Sequence, residues 1–173
     1  MNVYLGVDPG LLGGLAIIEN KKVTLIDIPI ITEKKNGKIR NKYDVNALAD
    51  IFKGFSPGNT FAVLETVTAM PGQGVVSCLS IGYGFGLYEG ILAMQRISHE
   101  NVHPKRWQKE YRISSAAGDT KAQGFQIASR LFPGTILKTP RGKLITGRID
   151  SLLICEYCRR KKCGELEGDR FNV

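Results

Sequence analysis

The sequence predicts an α/β fold, a mixed five-stranded sheet flanked by helices, and three observations carry that expectation. The first apolar run ends at Leu5-Gly6-Val7-Asp8-Pro9-Gly10 and resumes after Gly13-Gly14 as Leu15-Ala16-Ile17-Ile18, the pattern of a hairpin at a sheet centre. A later apolar run, Thr60 to Leu64, is isolated between segments of helical period and ends at Glu65. The element order β-β-β-α-β-α-β-α-α-α then describes a mixed sheet with helices around it.

Val3–Val7, Gly14–Glu19 and Lys22–Ile28 read as consecutive strands, the last closed by Pro29, which cannot donate to a ladder. Thr32–Tyr43 is polar and basic (Lys34, Lys35, Lys38, Arg40, Lys42), and its Asn36-Gly37 pair marks an exposed loop or hairpin extension. Asp44 suits an N-cap for a helix over Val45–Lys53, with Val45, Leu48, Ala49 and Phe52 apolar. Ser56 to Asn59 breaks the chain before Thr60–Leu64, and Met70–Gly74 is a Pro-Gly-Gln-Gly loop. Val75–Met94 reads as a long helix whose Gly82, Gly86 and Gly90 fall on one face. Packing of that bare stripe on the protein's own sheet is the first expectation and a dimer contact the second. Arg96–Val102 is a short strand, and Pro104 starts a basic helix. Thr120 and Gln123 have capping-box spacing for a helix ending before Pro133. After a basic loop, Thr135–Gly147, the last helix runs from about Arg148 to Arg160. Residues 1–162 form one expected domain, and 163–173 a polar, frayed tail.

Three acids stand out against this frame. A carboxylate at the end of an apolar strand is costly unless a cation compensates it, and Asp8 and Glu65 both end such strands. If those strands are neighbours, the two acids lie side by side, and a helix start laid across the sheet end delivers Asp150, in the first turn. Converging carboxylates raise one another's pKa. Mg²⁺, or Mn²⁺ in its place, removes that cost, because hard divalent ions prefer oxygen ligands. Two such ions suit phosphodiester hydrolysis.

The chain of 173 residues carries a net charge of +8, and its bases crowd the second half, among them Lys105, Arg106, Lys109, Lys121, Lys143 and Arg148. Such a field attracts polyanions. No run approaches about 18 consecutive apolar residues, and no helix with a large apolar face adjoins the charges, so a membrane is not expected. Without a charged-then-apolar leader the expected setting is intracellular, and four cysteines in a chain this size make no disulfide framework. Cys155 and Cys158 read as packing residues, Trp107 as core and His103 as structural.

Gly6-Val7-Asp8-Pro9-Gly10, Val63-Leu64-Glu65 and Gly147-Arg148-Ile149-Asp150-Ser151-Leu152-Leu153-Ile154 together resemble the RuvC-type Holliday-junction resolvases of the RNase H-like superfamily. Gly72-Gln73-Gly74, Gly82-Tyr83-Gly84-Phe85-Gly86, Pro104-Lys105-Arg106-Trp107 and Leu131-Phe132-Pro133 resemble the phage and plant-plastid branch. The resemblance implies an RNase H-like fold, a homodimer and metal-dependent symmetric nicking of four-way DNA junctions, leaving 5′-phosphate and 3′-hydroxyl ends. It implies Asp8, Glu65 and Asp150 as metal ligands and Lys121 beside the scissile phosphate. Met70 and Gln73, in the loop after Glu65, would meet junction bases, with Lys105, Arg106, Lys109, Lys143 and Arg148 on the DNA backbone. The family's fourth metal-site residue, His or Asp, is absent: those positions hold Thr146 and Gly147. Thr146 is a poorer ligand and no general base. The alternative is therefore an impaired junction-binding protein of the same fold. Sugar kinases and actin-like ATPases also open with a strand, an aspartate and a glycine turn, but they need two such domains, and this chain shows no repeat.

Overall fold

The computed structural model describes residues 1–35, 37–68 and 72–166. Among these residues, seven strands and five α-helices follow in the order β1 (Val3–Asp8), β2 (Gly14–Glu19), β3 (Lys22–Asp27), β4 (Ile30–Lys35), β5 (Lys38–Tyr43), α1 (Val45–Phe52), β6 (Thr60–Glu65), α2 (Val75–Met94), β7 (Ser98–Val102), α3 (Pro104–Glu110), α4 (Thr120–Leu131) and α5 (Thr146–Lys162). The main sheet has five strands in the order β3-β2-β1-β6-β7. Its first three form an antiparallel meander, while β1–β6 and β6–β7 are parallel. The expected mixed sheet, helices on both faces, is therefore the fold observed.

The β2–β3 connection is a two-residue turn in which Asn20 (φ 50°) and Lys21 (φ 65°) are both left-handed, and Glu19 pairs with Lys22. That is the backbone twist a tight hairpin prefers. The basic segment after Pro29 also folds as a hairpin, β4 with β5, separate from the main sheet. Gly37 takes φ 74° at its turn, and Asn36 lies outside the described residues.

Alternation along the central strands decides which side chains meet which helices. Val3, Leu5 and Val7 of β1 pack with Leu48, Phe52, Tyr88 and Leu92 of α1 and α2. Tyr4 of β1 and Phe61 and Val63 of β6 point the other way, into a core with Trp107 of α3, Ala128 of α4 and Leu152 and Leu153 of α5. By the same period, Gly6, Asp8 and Glu65 belong to the α5 face. Gly6 is glycine for a steric reason, since a Cβ there would lie 2.2 Å from both Cys155 N and Ser151 O. Helix α5 thus lies with its backbone against β1, and almost every residue from Gly147 to Cys158 is buried.

Several expectations need correction. The stripe Gly82, Gly86, Gly90 does not pack on the sheet: nothing lies within 4 Å of a Cβ at any of the three. The inward residues of α2 are Gly84, Tyr88 and Leu92, and at Gly84 a Cβ would meet the Tyr43 hydroxyl at 2.2 Å. Both rows repeat every four residues, and the row that packs lies two positions from the glycine stripe. By length and composition α2 could also cross a membrane, which a search for unbroken apolar runs does not detect. Strand β7 starts at Ser98 instead of Arg96, because Arg96 takes φ 54° in the turn leaving α2. Asp119, not Thr120, caps α4 through Lys121 N, and Gln123 holds the preceding loop by bonds to Ser114 and Gly118. The described start of the tail is tied down: Glu165 pairs with Arg159 at 2.7 Å and Leu166 is buried. Finally, α5 begins at Thr146, two residues before the expected start, which moves Asp150 from the first turn into the second.

Candidate active site

Asp8 and Glu65 end adjacent parallel strands, with Val7 opposite Leu64 in the register, so the two acids are side by side on the face that carries α5. Asp150 reaches the same place because α5 crosses at backbone distance. At Gly147 a Cβ would lie 2.3 Å from Leu12 O and 2.4 Å from Gly13 C, and at Gly14 it would lie 2.6 Å from Gly147 O. The glycines before β2 and at the start of α5 therefore bring the helix down onto the sheet end. With any side chain there, Asp150 would stand further from Asp8.

The electrostatics show that the acids interact. Burial pushes the Asp8 carboxyl up to about 6, partly offset by Gly10 N–H, which donates to Oδ1 at 3.3 Å. Burial and then the Asp8 charge push Glu65 up to about 8, with Asp150 adding a smaller rise. Burial and the Asp8 charge raise Asp150 to about 7, and Lys121 pulls it back. Glu65 and Asp150 are thus raised in part by the Asp8 charge, the condition a divalent cation relieves. Three carboxylates with no thiolate or imidazole among them suit Mg²⁺ or Mn²⁺ by donor type. Among the described residues, however, no three His, Cys, Asp or Glu side chains are already gathered as a metal cluster.

Two neighbours shape the site in ways the sequence did not signal. Trp107 is buried on α3, and its Nε1–H donates to Glu65 Oε1 at 2.8 Å. The core reading of Trp107 holds, and the polar end of the indole has a second task. Tyr43, at the base of the β4–β5 hairpin, donates its hydroxyl to Pro9 O at 2.8 Å and so fixes the turn directly after Asp8. Burial, with the Asp8 charge adding to it, pushes that phenol up to about 12, so it remains a donor.

The other expected residues fall into distinct places. Lys121 opens α4 and is exposed. Thr146, partly buried, is the first residue of α5 and lies four residues before Asp150, hence on the same helix face. Lys105 and Lys109 line a groove of about 700 Å³ together with Arg112, Ser114, Ser115 and Thr120. Arg112, Ser114 and Ser115 are contributions that no sequence motif flagged, and Arg112 itself sits in a left-handed turn with φ 56°. Arg106 is paired with Glu100 at 3.2 Å. Arg148 makes a two-pronged contact with Asp27, at 2.6 and 2.7 Å, and donates to Ile136 O. Lys143 is exposed in the loop before α5. Gln73 is partly buried just before α2, and Met70 lies outside the described residues. His103 caps α3 by accepting from Lys105 N at 3.2 Å, and Cys155 and Cys158 are buried.

A mixed sheet of order 3-2-1-6-7 with acids at the ends of its central strands defines an α/β fold of the RNase H-like, RuvC type. The structure superposes on RuvC of Thermus thermophilus in complex with a Holliday-junction substrate, with a TM-score of 0.59 and 11% identity, covering 96% of this chain and 98% of that one. It also superposes on a second structure of Thermus thermophilus RuvC, with a TM-score of 0.54 and 13% identity over 95% and 98% of the two chains. The sequence matches no protein-family model and no curated protein.

Proposed function

We propose that this protein is a divalent-metal-dependent endonuclease that resolves four-way DNA junctions by symmetric nicking as a homodimer inside the cell. The observation that carries this reading is the gathering of Asp8, Glu65 and Asp150 on one face of the sheet end, where the Asp8 charge raises the other two and Lys121 acts on Asp150. The neighbour solved with a Holliday-junction substrate supports the choice of branched DNA.

Asp8, Glu65 and Asp150 would hold Mg²⁺ or Mn²⁺, which would activate the attacking water and neutralise charge on the leaving oxygen, giving 5′-phosphate and 3′-hydroxyl ends. Trp107 orients Glu65, leaving its second oxygen for the ligand role. Tyr43 holds the Pro9 turn and with it the direction of Asp8. Lys121, already felt electrostatically by Asp150, offsets the charge that grows on the phosphate in the transition state. The cationic groove of Lys105, Lys109 and Arg112 takes the strand running from the cut. The homodimer reading is supported by α2, whose Val75, Val76, Leu79 and Tyr83 are exposed beside the bare glycines.

A second reading, junction binding without cleavage, is favoured by one feature. Gly147 has no room for a side chain, which leaves the fourth ligand position to Thr146. Cleavage of a labelled immobile four-way junction and its matched linear duplex in Mg²⁺ and in Mn²⁺, beside Asp8→Asn, separates the two. Paired nicks in the junction alone, lost in the variant, establish the nuclease. Tight binding without cutting in either metal establishes the binding protein.

A further inference from the structure

We propose that the β4–β5 hairpin is a second DNA-binding element, an arm that grips the sugar-phosphate backbone of a duplex outside the cleavage site. This rests on the branched-DNA reading and adds a contact region to it.

The hairpin contributes little to the core. Its strands pair with each other and with no strand of the main sheet, and Ile31 and Ile39 are left exposed. A lone two-stranded ribbon is marginal in water. Its packing is concentrated at the base, where Tyr43 is buried against Tyr83 and bonded to Pro9 O, and where Asp44 N–H donates to Pro29 O.

Charge gives the chemistry of what it meets. From Ile30 to Tyr43 the sequence holds Lys34, Lys35, Lys38, Arg40 and Lys42 against the single acid Glu33. Glu33 is taken by Lys42 at 2.6 Å. Lys34 and Arg40 are exposed and, among the described residues, have no ionic partner. A ribbon carrying that excess suits a regular polyanion, and duplex DNA presents a charge about every 1.7 Å of its axis. Position selects the same occupant. The Tyr43–Pro9 bond roots the arm one residue from Asp8, and six-residue strands reach about 20 Å from that root. A duplex arm seated at the acids therefore has flanking phosphates within range.

The test compares full-length wild type with the double variant Lys34→Gln, Arg40→Gln and with Lys53→Gln, whose charge sits at the C-terminal end of α1 and is already paired with Asp50. Affinity for a labelled four-way junction is measured by fluorescence anisotropy between 50 and 200 mM salt, with metal withheld. Thermal melts confirm folding of each variant. The proposal expects the log-affinity against log-salt slope to fall by about 2 in the double variant, with roughly tenfold or greater loss of affinity, and to hold in Lys53→Gln. An unchanged slope in the double variant overturns the arm and leaves the nuclease reading intact. An equal fall in Lys53→Gln overturns it too, since the effect is then general charge. A reduced slope in a protein that never cuts keeps the arm and removes the nuclease. No junction binding by wild type removes both.

Discussion

The indole Nε1 of Trp107 donates to Glu65 Oε1 at 2.8 Å, joining the helix that starts at Pro104 to the end of β6. A buried carboxylate that loses its donor bears the full desolvation cost of the group. Trp107→Phe keeps an aromatic ring but removes the N–H. The expected result is a loss of about tenfold in cleavage or metal affinity, as for partners that orient a metal ligand. Because Trp107 is the protein's one tryptophan, its emission also reports the site directly. Titration with Mn²⁺ should give a saturable fall in emission that is absent in Glu65→Gln. A flat titration in wild type would remove Glu65 from the ligand set.

Stability without metal should depend on pH in a defined direction. Burial raises Asp8 to about 6, and burial with the Asp8 charge raises Asp150 to about 7 and Glu65 to about 8. An acid whose folded pKa is raised binds more protons folded than unfolded. The stability tied to these groups is therefore fully present below about pH 4 and is lost as pH rises through about 6 to 8. Metal-free protein should melt at lower temperature at pH 8 than at pH 5, and saturating Mg²⁺ should recover the stability lost at pH 8. Asp8→Asn removes one raised acid and relieves the other two, so it should stabilise metal-free protein by on the order of 2 kcal/mol at pH 8 while abolishing cleavage. Thermal melts at the two pH values, with and without metal, check this.

The exposed glycines of α2 offer a test of self-association. Gly82, Gly86 and Gly90 have open space where a Cβ would go, and helix-interior glycine costs about 1 kcal/mol against alanine. Changing all three to alanine should raise the melting temperature of a monomer. If a second copy packs its helix there, the same change should weaken the dimer by tenfold or more. Sedimentation velocity beside a thermal melt reads both effects. A more stable protein with unchanged self-association would put the dimer contact elsewhere.

Much of this architecture was legible because its signals are local. Asn20 and Lys21 lie between two apolar runs, Asp44 precedes a periodic segment, and Asp8 and Glu65 end the most apolar strands; each became the predicted feature. What stayed hidden depends on contacts distant in sequence. Trp107 and Glu65 are 42 residues apart, and Tyr43 and Pro9 are 34 apart, so no spacing rule links them. The glycine stripe misled because bare Cα atoms suit close packing and open solvent equally, and only Gly84, with Tyr43 against it, is the crowded one. The start of α5 was misplaced because Ile145 offers no side-chain cap to mark it.

Residue 146 is where the site departs from the pattern of the RuvC-type resolvases that the sequence resembles. Thr146 and Asp150 stand four residues apart on α5, and so share a face. Thr146 is partly exposed there, whereas a side chain at residue 147 would strike Leu12 O and Gly13. Thr146→His therefore places an imidazole toward the acids without disturbing the packing of α5 on the sheet, and Gly147→His does not fold normally. Imidazole binds Mn²⁺ more readily than a threonine hydroxyl does. The histidine variant should bind Mn²⁺ about tenfold more tightly, read by Trp107 emission, and cut junctions faster at limiting metal. Because only neutral imidazole is a ligand, the gain should fade as pH drops below about 6.5. A gain in affinity without a gain in cutting would mean that the wild-type site is limited by a step other than metal occupancy. No gain in either would mean that residue 146 faces away from the acids, and that three carboxylates are the whole ligand set.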